Sequence, residues 1–202
     1  MESFQVINHM AARMGYKTYL EIGVELGLTI KNVNIQNRDG VDPHKLCEEV
    51  NYQMTSDEFF ERYPEKRYDC IFIDGHHNSE FVCRDVNNAL KSINENGVVF
   101  MHDCFPNQPH LAVKMIARTT PEWCGDGFKV VRSIVSNYSD SIMSCVVNTD
   151  YGVGMLLKLK KDVPKIEYND LYRWEDMIRN PEEQINLISI EKFYRKFPSK
   201  DD

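Results

Sequence analysis

The sequence lacks the features that define several large classes of protein. It has no apolar run of roughly 18 residues, so no membrane-spanning helix is expected. Its net charge is −7 and it has no basic stripe, which argues against binding to nucleic-acid phosphates or to an anionic membrane. Charged residues interrupt its first fifteen positions, so we expect no signal peptide.

The six cysteines are too scattered for a disulfide scaffold or a zinc site. No CxxC pair occurs, and the spacings match no zinc template. We therefore expect reduced thiols in a cytoplasmic protein, with Cys70 filling the core. Hydrophobic residues make up 42% of the chain, which is too many for a disordered protein. A chain of 202 residues can also bury a core without disulfides or metals.

Apolar runs alternate with helical patterns over the first 160 residues, which predicts an α/β domain. An amphipathic helix opens the chain and ends near Gly15, and residues 18–24 form a short apolar strand. The clearest unit comprises an unbroken apolar strand over residues 68–74, a helical pattern, and a second buried strand over residues 98–101. This arrangement is typical of a right-handed crossover in a parallel sheet.

Weaker patterns complete the predicted organisation. A strand ends at Asp42, another covers residues 51–54, and a capping box at Thr55 begins a helix. We predict a helix over residues 111–118 and two late strands, over residues 129–135 and 152–159, at an antiparallel edge. Residues 161–202 carry two short helical patterns. The chain is therefore predicted as a doubly wound domain, residues 1–160, with a helical C-terminal extension, residues 161–202.

The first candidate site is the segment from Glu21 to Gly27, which follows a strand and is predicted to precede a helix. Glycines in this position let the backbone approach a ligand and let the helix pack on the strand. The dinucleotide fingerprint GxGxxG is missing, because Glu25 stands between the two glycines. A ligand with a positive charge and no phosphate fits better. A plain strand–helix turn is the alternative.

Asp42 strengthens this interpretation. It ends the second strand, 19 residues after Gly23, where an acidic residue can accept both hydroxyls of a ribose. The alternative is a turn-forming aspartate before Pro43. Together, the glycine turn and the acid favour an adenosine-type cofactor.

Acidic and imidazole side chains follow the two strands of the crossover. Asp74, His76 and His77 come after the first of these strands, and His102 and Asp103 come after the second. Three of the chain's six histidines lie in these two clusters. Ligands bind outside the carboxyl ends of parallel strands, so the clusters indicate a metal site or an acid/base pair. Simple turns are the alternative.

These motifs resemble those of class I S-adenosylmethionine-dependent methyltransferases. Within that class they are most similar to a small group that often accompanies enzymes of sugar and surface-glycan biosynthesis. The matching segments are YLEIGVELG, GVDP, MTSDEFF, YDCIFIDGHHNSEFVCRDV, GVVFMHDCFP and TDYGVG. The resemblance implies a Rossmann-like, mostly parallel seven-stranded sheet with an antiparallel late strand. It implies O-methylation of a sugar or similar small hydroxylated acceptor.

The resemblance also implies roles for individual residues. Glu21 and Gly23 would line the methionine part of the cofactor, and Asp42 would hold the ribose. Thr55 and Ser56 would lie near the adenine, although a plain helix cap is the alternative for both. The implied cofactor set is Glu21, Gly23, Gly27, Asp42, Thr55, Ser56 and Asp74. The implied catalytic residues are Asp74, His77 as general base, and His102, and the implied metal ligands are Asp74, His102 and Asp103.

One residue departs from the family pattern. Related sugar methyltransferases carry an acidic pair after the fifth strand, whereas this chain has His102 and Asp103. Imidazole is a poor ligand for magnesium and suits manganese, iron or zinc better. Three alternatives follow: a softer ion binds, His102 transfers protons, or no metal is used. A non-catalytic cofactor-binding module of the same fold and a dinucleotide oxidoreductase are the competing functions, and a homo-oligomer is compatible with the sequence.

Overall fold

A mostly parallel β-sheet forms the centre of the molecule. The computed structural model describes residues 1–117 and 119–200. In these residues the sheet has eight strands in the order β3-β2-β1-β4-β5-β7-β6-β8. Only β7 runs antiparallel to its neighbours, β5 and β6. The strands are β1 Thr18–Ile22, β2 Asn37–Asp42, β3 Tyr52–Gln53, β4 Tyr68–Ile73, β5 Ile93–Met101, β6 Ile142–Val147, β7 Val153–Lys158 and β8 Leu187–Ile188.

Seven helices cover the two faces of this sheet among the described residues. They are α1 Ser3–Met14, α2 Ser56–Arg62, α3 Ser79–Ser92, α4 Phe128–Asn137, α5 Trp174–Arg179, α6 Pro181–Gln184 and α7 Ile190–Lys196. Apolar side chains of α2, α3 and α4 pack in one buried cluster, and those of α1 and α7 pack in the other. The doubly wound fold class is therefore confirmed. No helix in the described part of the chain is long and apolar enough to cross a membrane.

Several local predictions are confirmed because the local sequence decides them. Helix α1 ends at Gly15, whose φ of 75° is the left-handed conformation that glycine adopts without strain. The capping box at α2 is formed by Thr55 and Glu58, whose side chains bond to each other's backbone N–H. Cys70 is fully buried in β4, as expected for a strand covered on both faces.

Two elements predicted in the second half of the chain are wrong. Residues 129–135 lie in helix α4 rather than in a strand, because Val131 and Ile134 face the core at helical spacing. The strand of this region is β6, over residues that the sequence left unassigned. Residues 111–117 form only a 3₁₀ turn, Met115–Ala117, and residue 118 lies outside the described residues. Leu111 is buried, but Met115 and Ile116 are 46% and 97% exposed, so the segment has no continuous apolar face that would hold a helix on the core.

The C-terminal extension packs on the sheet. Strand β8 pairs in parallel with β6, which gives the sheet eight strands where seven were expected. Met177 and Ile185 are buried in the cluster on one face, and Phe193 is buried in the cluster on the other face. The extension therefore folds onto the domain, while its separation as a unit at residue 160 stays a prediction.

Candidate active site

A cluster of carboxylates and imidazoles lies where β4 and β5 end. Asp74 directly follows β4, and His102 and Asp103 directly follow β5, so the parallel register brings them together. His102 Nδ1 lies 3.1 Å from Asp74 Oδ1 and 3.6 Å from Asp103 Oδ1. One potential ligand atom from each of the three residues lies within 4.8 Å of the others. This spacing and the mixture of oxygen and nitrogen donors fit a divalent cation.

His77 joins the same cluster from the loop before α3. Its Nδ1 lies 3.0 Å from Asp103 Oδ2, and its Nε2 lies 3.4 Å from Asp74 Oδ1. The ring stacks on Trp123, with 5.0 Å between centroids and an interplanar angle of 16°. Trp123 lies in the loop before α4. Here this loop covers one face of the His77 ring.

Asp150 is the member of the cluster that sequence analysis missed. It lies in the turn between β6 and β7, and its Oδ2 is 3.4 Å from His102 Nε2. It occurs in the segment TDYGVG, which carried the family resemblance but no assigned role. Asp103 and Asp150 both have positive φ values, 56° and 48°. Such backbone is uncommon outside glycine and tends to occur at functional sites.

The charges of the cluster stabilise one another. Burial would raise the pKa of Asp74, but the neighbouring His102 and His77 outweigh burial and lower it. Burial would likewise lower the pKa of His77, but hydrogen bonds to Asp103 and Asp74 raise it to about 10. The pKa of His102 is raised in the same way by Asp74 and Asp150. Both imidazoles therefore carry a proton near neutral pH when no cation is bound.

His76 does not reach the cluster. Its ring stacks on Phe81 at 4.1 Å, and its Nδ1 accepts a hydrogen bond from Asn78 N–H at the start of α3. The adjacent histidines thus have different surroundings, and only His77 faces the carboxylates.

The glycine turn after β1 packs against the end of β4. A Cβ at Gly23 would lie 2.1 Å from the Asp74 carbonyl oxygen, and Gly23 has a φ of 83°. The glycine is thus required by the contact between two turns of this chain, whether or not a ligand also approaches it. The predicted helix after the motif is wrong, because only a 3₁₀ turn, Ile30–Asn32, follows. The positive φ of Glu25 and Gly27 keeps this segment irregular.

Asp42 lies beside the same turn. Its Oδ2 accepts hydrogen bonds from the Val24 and Glu25 N–H groups at 3.0 Å, and its Oδ1 accepts one from His44 N–H at 2.8 Å. A carboxylate has about four acceptor positions, so one remains for a further donor. Ribose binding by Asp42 stays a prediction.

The other predicted cofactor residues lie around this edge of the sheet. Glu21 is 1% exposed in β1, and its Oε2 accepts a hydrogen bond from the Tyr19 hydroxyl at 2.5 Å. Thr55 and Ser56 begin α2 after the short strand β3. The capping role of Thr55 is therefore present in the structure, while contact of either residue with an adenine stays a prediction.

The comparisons with known proteins agree with this architecture. A family model described as a methyltransferase domain matches residues 36–104, from the start of β2 to just after β5. The eight-stranded sheet and the helices that cover it form the Rossmann-like methyltransferase fold. The range that the family model matches contains five of the predicted site residues, Asp42, Asp74, His77, His102 and Asp103. No curated protein matches the sequence.

Solved structures share the methyltransferase fold at low sequence identity. An O-methyltransferase from Bacillus cereus, solved in complex with SAH, aligns with a TM-score of 0.56 and 12% identity, over 78% of this chain and 80% of that chain. MycE, a methyltransferase from the mycinamycin biosynthetic pathway solved with Mg and SAH, aligns with a TM-score of 0.52 and 15% identity. That alignment covers 83% of this chain and 50% of MycE. At these identities the likeness shows the fold alone.

Glu21 provides a test of the electrostatics at this edge of the sheet. Burial raises its pKa to about 8, against 4.5 for an unperturbed glutamate. The folded state therefore binds more protons than the unfolded state between pH 4.5 and pH 8, so stability falls as pH rises through that window. Glu21→Gln keeps an acceptor for the Tyr19 hydroxyl. We expect it to stabilise the protein at pH 8 by about 2–4 kcal/mol.

Urea unfolding of the cofactor-free protein at pH 5 and pH 8 measures this effect. The exposed Glu48 provides the matched control, and Glu48→Gln is expected to leave the pH dependence unchanged. If Glu21→Gln keeps the wild-type difference in stability between the two pH values, Glu21 is already ionised in the fold.

Proposed function

We propose that this protein is an S-adenosylmethionine-dependent methyltransferase that methylates a hydroxyl of a sugar or a similar small acceptor. The fold and the matched methyltransferase-domain model support transfer of a methyl group. The observation that carries the proposal is the cluster of Asp74, His77, His102 and Asp103 beside the Gly23 turn. SAH in the structure of the Bacillus cereus relative, and Mg with SAH in that of MycE, support S-adenosylmethionine and a divalent cation as cofactors of this chain.

The proposed cofactor site uses the edge of the sheet formed by β1, β2 and β4. The donor supplies a methyl group that its sulfonium already activates, so the protein mainly has to position the two reactants. In this proposal Asp42 accepts one hydroxyl group of the ribose at its remaining acceptor position. Asp74 supplies negative potential that suits a positively charged cofactor. Glu21, whose pKa burial raises to about 8, would add to it once the positive charge of a bound cofactor favours its ionised form. Glu25, which lies between the glycines, disfavours a dinucleotide pyrophosphate for the same electrostatic reason.

The proposed base is His77. Asp103 Oδ2 lies 3.0 Å from its Nδ1 and fixes the ring. Its Nε2, which faces Asp74 Oδ1 at 3.4 Å, is the nitrogen that would receive the proton of the acceptor hydroxyl. Only the neutral form of His77 accepts this proton. A cation on Asp74 and Asp103 would favour that form, because these two carboxylates raise the pKa of the ring to about 10 when no cation is bound. The hydroxyl oxygen then bonds to the methyl carbon as the carbon–sulfur bond breaks. Trp123, stacked on the ring, shields one face of the imidazole from water.

Asp74, His102 and Asp103 would hold a divalent cation. Such an ion, when bound, lowers the pKa of a coordinated hydroxyl. Asp103 can serve both partners, because its Oδ2 faces His77 while its Oδ1 faces His102. With one imidazole among the donors, the set favours manganese, iron or zinc over magnesium.

Calorimetric titration with SAH tests the proposed cofactor. We expect the wild-type protein to bind SAH and not NAD. Asp42→Asn is expected to weaken SAH binding roughly tenfold or more, because one ribose hydroxyl loses its charged acceptor. The asparagine can still accept from the Val24 and Glu25 N–H groups, so the turn is retained.

Glu48→Gln, an exposed carboxylate in the loop after β2, is the matched control and should bind SAH as the wild type does. Equal SAH affinity in a folded Asp42→Asn variant would remove Asp42 from the site. Binding of SAH without methyl transfer to any hydroxylated acceptor would favour the non-catalytic cofactor-binding module, and binding of NAD would favour the oxidoreductase.

A further inference from the structure

Asp150 is fixed from one side by the first helix. Its Oδ2 accepts hydrogen bonds from Ser3 N–H at 2.8 Å and from the Ser3 hydroxyl at 2.6 Å, across 147 residues of sequence. Ser3 is 3% exposed. A short, partly exposed carboxylate that accepts two hydrogen bonds from the same residue has little freedom to turn.

The same Oδ2 faces the imidazole of His102. His102 Nε2 is buried and meets no partner with hydrogen-bond geometry among the described residues, and Asp150 Oδ2 faces it at 3.4 Å. A buried N–H without an acceptor is costly, so a small approach of the two groups is favourable. On the other side of the ring, Nδ1 faces Asp74 and Asp103. The ring therefore lies between the anchored carboxylate and the candidate ligand atoms.

The backbone around Asp150 is also held in place. Asp150 and Tyr151 have φ values of 48° and 55°. The Tyr151 carbonyl accepts from Phe105 N–H at 2.7 Å, and the Gly152 carbonyl accepts from Cys104 N–H at 2.9 Å. These bonds tie the β6–β7 turn to the loop after β5, which carries His102. A positive φ persists only where the surroundings impose it, so the turn is a rigid support.

We propose that Asp150, anchored by Ser3, is a positioning residue that holds His102 Nε2–H and directs Nδ1 toward a divalent transition-metal ion bound by Asp74 and Asp103. The proposal rests on the proposed function for the metal site. A histidine that binds a metal through one ring nitrogen usually donates its other N–H to a carboxylate. Asp150 is the carboxylate that faces this nitrogen. In this arrangement His102 would bind the ion through a ring nitrogen. Magnesium disfavours nitrogen ligands.

Titration with Mn²⁺ alone, followed by calorimetry, tests the proposal on the full chain. Loss of a carboxylate that supports a metal-binding histidine typically weakens metal affinity 10- to 100-fold. We expect this loss in Asp150→Asn, and a smaller loss in Ser3→Ala, which removes the hydroxyl hydrogen bond to the carboxylate but keeps the one from the backbone N–H of residue 3. Asparagine tolerates positive φ, so the backbone of the turn is retained. Asp140→Asn removes an exposed carboxylate at the other end of β6 and should bind Mn²⁺ as the wild type does.

A spectroscopic measurement separates positioning from a general loss of structure. Pulsed electron paramagnetic resonance of the Mn²⁺ complex should detect imidazole nitrogen coupling in the wild type. The coupling should vanish in His102→Gln and weaken in Asp150→Asn. Mn²⁺ affinity within twofold of wild type in folded Asp150→Asn, or absence of Mn²⁺ binding or nitrogen coupling in the wild type, would overturn the proposal. If Asp150→Asn does not fold, Ser3→Ala decides by the same two measurements.

SAH titration of the same samples tests the proposed methyltransferase function separately from the positioning role of Asp150. Manganese binding with the expected losses, but without SAH binding, would leave Asp150 as the positioning residue of a metal site and reject the methyltransferase. Binding of SAH without manganese binding would reject the positioning role alone.

Discussion

Replacing His77 by glutamine is expected to lower kcat for methyl transfer by roughly 100- to 10,000-fold, the range for loss of a general base. SAH affinity should stay within about twofold, because a base acts mainly in the transition state. Glutamine still reaches Asp103 through its amide but cannot accept the proton of a hydroxyl. Release of SAH from S-adenosylmethionine, measured on a panel of hydroxylated acceptors with sugars first, gives kcat and KM separately.

The neighbouring His76 is the matched control for this experiment. It stacks on Phe81 instead of facing the carboxylates, so His76→Gln should keep kcat within about threefold. A chelator added to the wild-type protein then distinguishes a reaction that uses a metal from one that does not. Loss of turnover with chelator indicates a metal-assisted reaction, and unchanged turnover indicates an acid/base pair without metal. Near-wild-type kcat in a folded His77→Gln variant would show that His77 is not the general base.

Replacing Phe193 by alanine is expected to destabilise the protein by about 3–5 kcal/mol. Phe193 is fully buried in α7 and lies 5.5 Å from Phe197 and 5.3 Å from His9, measured between ring centroids. The substitution leaves a cavity where the C-terminal extension packs on α1. This loss is a large part of the 5–15 kcal/mol by which a typical protein is stable.

Urea unfolding measures the loss, with Leu171→Ala as the control from the same extension. Leu171 is 85% exposed, so its truncation should change the free energy of unfolding by no more than about 0.5 kcal/mol. Equal stability of the two variants would show that the extension contributes little to the fold in solution.

Local sequence patterns predicted the elements whose residues determine their own conformation. The unbroken apolar run of β4 leaves a strand buried on both faces as the simplest solution. The Thr55–Glu58 capping box specifies the start of α2 through contacts three residues apart. Residues 129–135 show the limit of such patterns. Their β-branched residues favour a strand, whereas packing of Val131 and Ile134 against the core produces a helix.

Part of the candidate site could likewise be predicted from local sequence, and part could not. Asp74, His77, His102 and Asp103 were predicted to meet, because parallel strands end at one edge of the sheet and each residue directly follows such a strand. Asp150 was not predicted to join this cluster, because it follows β6, a strand that was not predicted from the sequence. Its partner Ser3 lies in the first turn of α1, and no local pattern relates two residues separated by 147 positions.

By itself, then, the sequence determined the alternation of helices and strands, the parallel core of the sheet and the chemistry at the ends of β4 and β5. Periodicity, capping and turn residues act over a few positions and can be read directly. Only the tertiary structure decided that β8 completes the sheet and that the β1 turn packs on Asp74. It alone brought Asp150 and Ser3 to His102. Each of these depends on contacts between distant segments, whose favourable energy arises only when the whole chain has packed.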